Sequence, residues 1–293
     1  MRRSLHVLAA LTLAAVFPAI SRGTEGGGPA ATVRRVVSLS PALTETICRI
    51  GAESALVGRC TACDTPERIR RLPAAGTLGQ PHAELLLSLH PDAVVSDIGH
   101  PRSEWELLQK RGIVVRRYSA KTLADYPQTL RDLGRLLGRE TEAEAEIERF
   151  REEIDALRRT VPRRRVRVLL LLGFDPPVSC GRGTFLDELV SLAGGENVAA
   201  GASTREYFTL SPEFIVRMQP EVIFALGMTG AEKIISGLPG WKDLPAVRNR
   251  RIVTDLDADL LYRLGPRTPD GVKLLRKRLF ELQNAIPERQ AAH

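Results

Sequence analysis

The sequence contains no apolar run of the ~18–20 residues that cross a bilayer, except at its very start, which excludes a multi-span membrane protein. Aromatic residues are only 5% of the chain, and none is interleaved among arginine clusters such as Arg163-Arg164-Arg165 and Arg248-Asn249-Arg250-Arg251. A nucleic acid would find no stacking platform among them. Catalytic signatures are missing too: there is no Gly-x-Ser-x-Gly, His-Glu-x-x-His, Walker loop or Gly-x-Gly-x-x-Gly. Glu45 and Asp64 would make a carboxylate pair, but nothing in their spacing sets them face to face. None of these patterns marks the chain as an enzyme.

What is present is ordinary for a globular chain: 293 residues, 43% apolar and 26% charged, enough for one large or two medium domains. The amino terminus reads as an address. Met1-Arg2-Arg3 is basic, Leu5 to Ile20 is apolar, and Ser21 to Gly28 is polar and glycine-rich. This order predicts a cleaved secretory signal peptide over 1–23 and a linker over 24–34. An uncleaved anchor helix is disfavoured by the short run and by Pro18. No Cys lies near the end of the apolar run, so a periplasmic protein without a lipid anchor is expected. Removing Arg2, Arg3 and Arg22 lowers the formal charge from +7 to +4, a modest excess.

From Val33 onward, β-branched runs alternate with helical segments, the pattern of an α/β fold. Strands are expected at Val36–Leu39, Ala93–Ser96, Val114–Tyr118, Val166–Leu171, Val222–Ala225 and Arg251–Thr254. Helices are expected after Ser40, Ala83, Arg102, Leu123, Thr184, Ser211 and Pro269. Residues 139–161 carry neither Gly nor Pro, and Ala143, Ile147, Phe150, Ile154, Leu157 and Val161 recur at alternating spacings of four and three. That stripe predicts one long helix, a rigid spacer between a lobe at 35–138 and a lobe at 162–293.

An internal repeat supports two halves. Glu84 and Glu213 each begin a short apolar stretch, followed by Pro at the seventh position, an acid at the eighth and an apolar run from the ninth. Each unit reads as a short helix, a Pro-acid turn and a buried strand, with the glutamate in the first helical turn. There it either complements the helix dipole or serves a function.

Several pieces in order resemble the periplasmic binding proteins that deliver cobalamin, haem and ferric siderophores to ABC importers. They are Arg35-Val36-Val37-Ser38-Leu39-Ser40-Pro41, Cys63-Asp64-Thr65-Pro66, the Glu84 segment, Gly173-Phe174-Asp175-Pro176-Pro177, Leu192 to Asn197, the Glu213 segment, and Leu261 to Arg267. The cobalamin-binding members are the most similar, through the short first lobe and Asp175-Pro176-Pro177. The resemblance implies two α/β lobes, each with a central, mostly parallel sheet, joined by one long helix. It implies that a monomer docks through Glu84 and Glu213 on a two-fold permease served by a cytoplasmic ATPase. It further implies a cargo cleft near Ser40, Pro41, Ala62, Leu78, Asp97, Val178, Tyr207, Leu260 and Arg263. Of these only Tyr207 is aromatic, so a corrinoid, a haem and a ferric siderophore all stand as cargo. No intrinsic cofactor is expected.

Cys60 and Cys63 form a Cys-x-x-Cys, which in an oxidising periplasm predicts a local disulfide. The resemblance sets this segment and Cys180 at the cleft, where thiolates would also suit a soft metal. Cys48 reads as a small core residue. His82 and His100 are weak ligand candidates in loops. Arg263 either pairs with cargo anions or caps the helix that follows.

Overall fold

The computed structural model describes residues 33–77, 80–97 and 102–284. The expected signal peptide, most of the linker, Leu78 and His100 lie outside the described residues. Two compact units emerge, one of residues up to 120 with 124–151, the other of Lys121–Leu123 with residues from 152.

The first unit runs β1 (Val36–Ser38), α1 (Pro41–Arg49), β2 (Leu56–Arg59), β3 (Gly76–Thr77), β4 (Gln80–Pro81) and α2 (Ala83–Ser88). It continues with β5 (Ala93–Ser96), α3 (Arg102–Lys110), β6 (Val114–Arg117), α4 (Tyr126–Leu137) and the start of α5 (Glu140–Arg159). Its four-stranded sheet is wholly parallel, in the order β2-β1-β5-β6, and β3 and β4 form a two-stranded antiparallel pair. All residues of β1 and β5 are buried, as expected of central parallel strands covered on both faces. Helix α1 starts where Ser40 Oγ accepts the Leu43 N–H at 3.3 Å and Pro41 supplies a preset φ.

Helix α5 begins in the first unit and ends in the second. Ala143, Ile147, Phe150, Ile154 and Leu157 are buried along it, whereas Val161 lies past its end and is half-buried. Phe150 meets Tyr126 of α4 with ring centroids 4.8 Å apart and planes tilted by 60°. Glu146, the buried acid of the same face, accepts from Arg49 Nε at 2.9 Å and from Arg149. That pairing ties α1 to α5.

The second unit continues with β7 (Val166–Leu170), β8 (Gly173–Phe174), β9 (Pro177–Cys180), α6 (Phe185–Ala193), β10 (Gly195–Asn197), β11 (Tyr207–Thr209) and α7 (Pro212–Met218). It closes with β12 (Val222–Phe224), α8 (Ala231–Gly237), α9 (Pro245–Arg248), β13 (Ile252–Val253), α10 (Ala258–Tyr262) and α11 (Thr268–Asn284). The parallel sheet is ordered β10-β7-β12-β13, and β11-β9-β8 form a small antiparallel sheet. Thr184 caps α6 by accepting the Asp187 N–H at 3.2 Å. The helix ends at Gly194, whose φ of +95° and whose approach to Pro162 leave no room for a side chain.

The two parallel sheets share one plan. β1, β2, β5 and β6 of the first unit correspond in order to β7, β10, β12 and β13 of the second. In each, a short helix opening on the repeated glutamate leads into the strand beside the first one: α2 into β5 and α7 into β12. The six expected strands are all present. The outer strands β2 and β10, the β3-β4 pair and the β11-β9-β8 sheet were not expected.

Candidate functional site

Open parallel sheets bind ligands at the carboxyl ends of their strands, and the described cargo candidates of the first unit lie there. In the first unit Ser40 and Pro41 follow β1, Ala62 lies in the turn after β2, and Asp97 follows β5. Ser40 and Pro41 are buried, Ala62 is half-buried and Asp97 is exposed. The Ser40 hydroxyl caps α1, and its carbonyl accepts Ser38 Oγ at 3.1 Å and Thr44 Oγ1 at 2.9 Å. These bonds make Ser40 part of the local scaffold.

Behind this edge lie Cys60 and Cys63, both fully buried, with sulfurs 3.0 Å apart. The pair stands as two hydrogen-bonded thiols in this structure. The hydrogen bond from the Cys63 thiol lowers the Cys60 pKa, helped by the Ala62 and Cys63 amides and opposed by burial. Burial pushes Cys63 up. Thr44 Oγ1 lies 3.2 Å from Cys63 Sγ and 2.9 Å from Ser38 Oγ, which joins the thiols to the Ser38–Ser40 network. His82 is exposed at the start of α2 and makes no capping bond. Among the described residues no group of three or more His, Cys, Asp or Glu is placed to hold a metal ion.

In the second unit, the antiparallel sheet pairs Tyr207 with Cys180, Phe208 with Ser179 and Thr209 with Val178. Strand alternation then sets Val178, Cys180, Tyr207 and Thr209 on one face and Ser179 with Phe208 on the other. Phe208 and Phe174 pack on the core of Leu169, Leu171, Ile223 and Trp241, so the Val178–Tyr207 face turns away from it. Val178 and Tyr207, predicted separately, therefore form one surface. Thr209 also belongs to it and was missed, although period-two spacing from Tyr207 points to it. Burial raises the phenol pKa of Tyr207 and of Tyr262, and nearby Cys180 adds to both. Tyr262 was also missed, one residue before the candidate Arg263.

Leu260 is half-buried in α10. Arg263 follows that helix and pairs with Asp259 Oδ2 at 2.9 Å, with only 12% of its side chain exposed. Its charge is therefore met within the chain. Burial pushes the Cys180 thiol up to about 12, while Thr184 and Asn197 lower it in part. A separate groove of about 480 Å³ follows the open edge of β10, lined by Arg165, Arg167, Arg182, Asp187, Glu196 and Asn197 among others. It contains none of the cargo candidates.

Glu84 and Glu213 are both exposed in the first turns of α2 and α7. Ser211 caps α7 by accepting the Phe214 N–H at 3.2 Å. Hydrogen bonds from its own N–H and then from Ser211 hold the Glu213 carboxyl below the usual range, so it is anionic at neutral pH. Among the described residues no helix is long and apolar enough to cross a membrane.

The sequence profile of the periplasmic binding protein family matches residues 36–259. A vitamin B12-binding protein of Vibrio parahaemolyticus is 28% identical over 244 residues, covering 82% of this chain and 87% of its own. One from Yersinia pestis is 30% identical over 267 residues, covering 88% and 89%. Among solved structures, the periplasmic haem-binding protein RhuT of a Roseiflexus species is 31% identical with a TM-score of 0.76, covering 85% of this chain and 98% of that one. The vitamin B12-binding protein BtuF of Vibrio cholerae is 27% identical with a TM-score of 0.71, covering 86% and 98%. A parallel-sheet plan used twice and a match along most of the sequence make this chain a member of the periplasmic binding protein family.

Proposed function

We propose that this chain is the exported solute-binding component of an ABC importer, which captures a corrinoid or a haem and hands it to a two-fold permease driven by a cytoplasmic ATPase. The observation that carries the reading is the near-full-length likeness to vitamin B12-binding relatives. Cargo candidates at strand carboxyl ends and on the Val178–Tyr207 face support it. The protein binds and releases without covalent chemistry, by apolar contact and a few polar anchors. It works as a monomer, freed from a signal peptide over 1–23 and without a lipid anchor. In the oxidising periplasm Cys60 and Cys63 close to a local disulfide. Glu84 and Glu213, one per unit, make charge-assisted contacts with permease arginines and fix the register of docking.

Haem is the second cargo. It is favoured by the likeness to a haem-binding structure and by a candidate set with a single aromatic ring, Tyr207. A ferric siderophore is the remaining class. Titrating the purified protein with cyanocobalamin, cobinamide and haem, followed by absorbance, should give saturable binding of one tetrapyrrole. Tyr207→Ala should weaken that binding by about tenfold. Failure of all three to bind would discard the tetrapyrrole class and leave the siderophore.

A further inference from the structure

Arg35 and Arg167 hold matching places in the two units and share several bonds, although Arg167 also pairs with Glu196 at 3.6 Å. Arg35 precedes β1, whose Val36 lies opposite Ala93 of β5; Arg167 precedes Val168 of β7, which lies opposite Val222 of β12. The Arg35 Nη2 donates to the Leu89 carbonyl at 2.7 Å, and its Nε donates to the His90 carbonyl at 3.0 Å. These carbonyls end the α2 segment. Arg167 Nη2 donates to the Met218 carbonyl, the matching position at the end of α7.

The acid of each Pro-acid turn completes the pattern. The Arg35 N–H donates to Asp92 Oδ2 at 2.9 Å, and the Asp92 N–H donates to the Arg35 carbonyl at 2.8 Å. The Arg167 N–H donates to Glu221 Oε2 at 3.0 Å, and the Glu221 N–H donates to the Arg167 carbonyl at 2.8 Å. Between helix and acid, both copies place a non-glycine residue in the left-handed region, His90 at φ +44° and Gln219 at φ +45°. Such backbone is costly for these residues and is held by its surroundings.

Resting on the docking reading above, we propose that Arg35 and Arg167 are positioning residues for the docking carboxylates. Helices α2 and α7 have only six and seven residues, too short to hold their own geometry in water. Each carries its glutamate in the first turn and is fastened at the other end by an arginine on the helix carbonyls. A cation at a helix carboxyl end also complements the dipole. Each arginine thereby fixes where Glu84 or Glu213 is presented, without itself touching the permease.

The test compares the wild type with E84A/E213A, R35Q/R167Q, the quadruple variant and R35K/R167K, for association with the cognate permease–ATPase complex in nanodiscs. R35Q/R167Q should associate about tenfold more weakly, with cargo titration unchanged, and the quadruple variant should be no weaker than E84A/E213A. Wild-type association by R35Q/R167Q, or full additivity in the quadruple variant, would overturn the positioning role. Wild-type association by E84A/E213A would instead remove the docking reading and this proposal with it. If R35Q/R167Q does not fold, R35K/R167K decides: it keeps the cation but loses the guanidinium fork. It should show weaker association and faster amide exchange confined to α2 and α7, and wild-type behaviour in both would refute the proposal.

Discussion

Cys180 shows how burial at one residue sets a pH limit for the whole fold. Its thiol ionises near 9.0 in the ordinary case and is pushed up to about 12 here, chiefly by burial. Cys48 is raised to about 12 for the same first reason. Above pH 9 the unfolded chain gives up protons that the folded chain keeps, so the unfolded state binds fewer protons and stability falls as pH rises. Stability from Cys180 is thus complete below about pH 9 and is lost toward pH 12, by about 1.4 kcal/mol per pH unit, while the less buried Cys48 adds a smaller share. Urea unfolding followed at pH 8.5, 9.5 and 10.5 should show this decline. Cys180→Ala should reduce its slope, and an unchanged slope would show that Cys180 does not contribute.

At the scale of elements, α5 has the clearest reason to exist. Its mean composition is highly charged, yet one stripe of apolar residues every three or four positions is buried. Phe150, 2% exposed and stacked at a tilt on Tyr126, is the largest side chain of that stripe. Phe150→Ala should destabilise the protein by about 3–5 kcal/mol in urea unfolding, since the site lies between two helices that cannot readily collapse onto it. A loss below ~1 kcal/mol would mean that the stripe is not a packed seam. The outer strand β10, by contrast, consists of Gly195, Glu196 and Asn197 and has no intrinsic preference for extended structure. It is a strand because β7 supplies the ladder: Gly195, Glu196 and Asn197 pair with Val166, Arg167 and Val168.

For the whole molecule, one plan used twice gives two equivalent carboxylates, each in the first turn of a short helix. Two weak contacts joined through one body bind far more tightly than either alone, because the second forms at high effective concentration. Removing one glutamate should therefore cost most of the benefit. Uptake of labelled cargo should fall on the order of tenfold in E84A or E213A and further in the double variant, while the cargo Kd in solution stays unchanged. Single variants that transport like the wild type would argue against paired docking.

The sequence by itself determined what repeats and periodicity encode. Six strands were legible from β-branched runs, α5 from its three-four stripe, and α1 and α7 from Ser-Pro starts that do cap their helices. The paired glutamates were visible because helix, Pro-acid turn and strand recur in the same order. The tertiary structure alone decided what depends on distant partners. Strands β2 and β10 exist through pairing with β1 and β7. Val178 and Tyr207 share a face only because β9 and β11 are in register. Arg35 and Arg167 look like ordinary surface arginines until folding carries the ends of α2 and α7 to their guanidinium groups. Local sequence sets local conformation, but a hydrogen bond between residues more than fifty positions apart has no local signature.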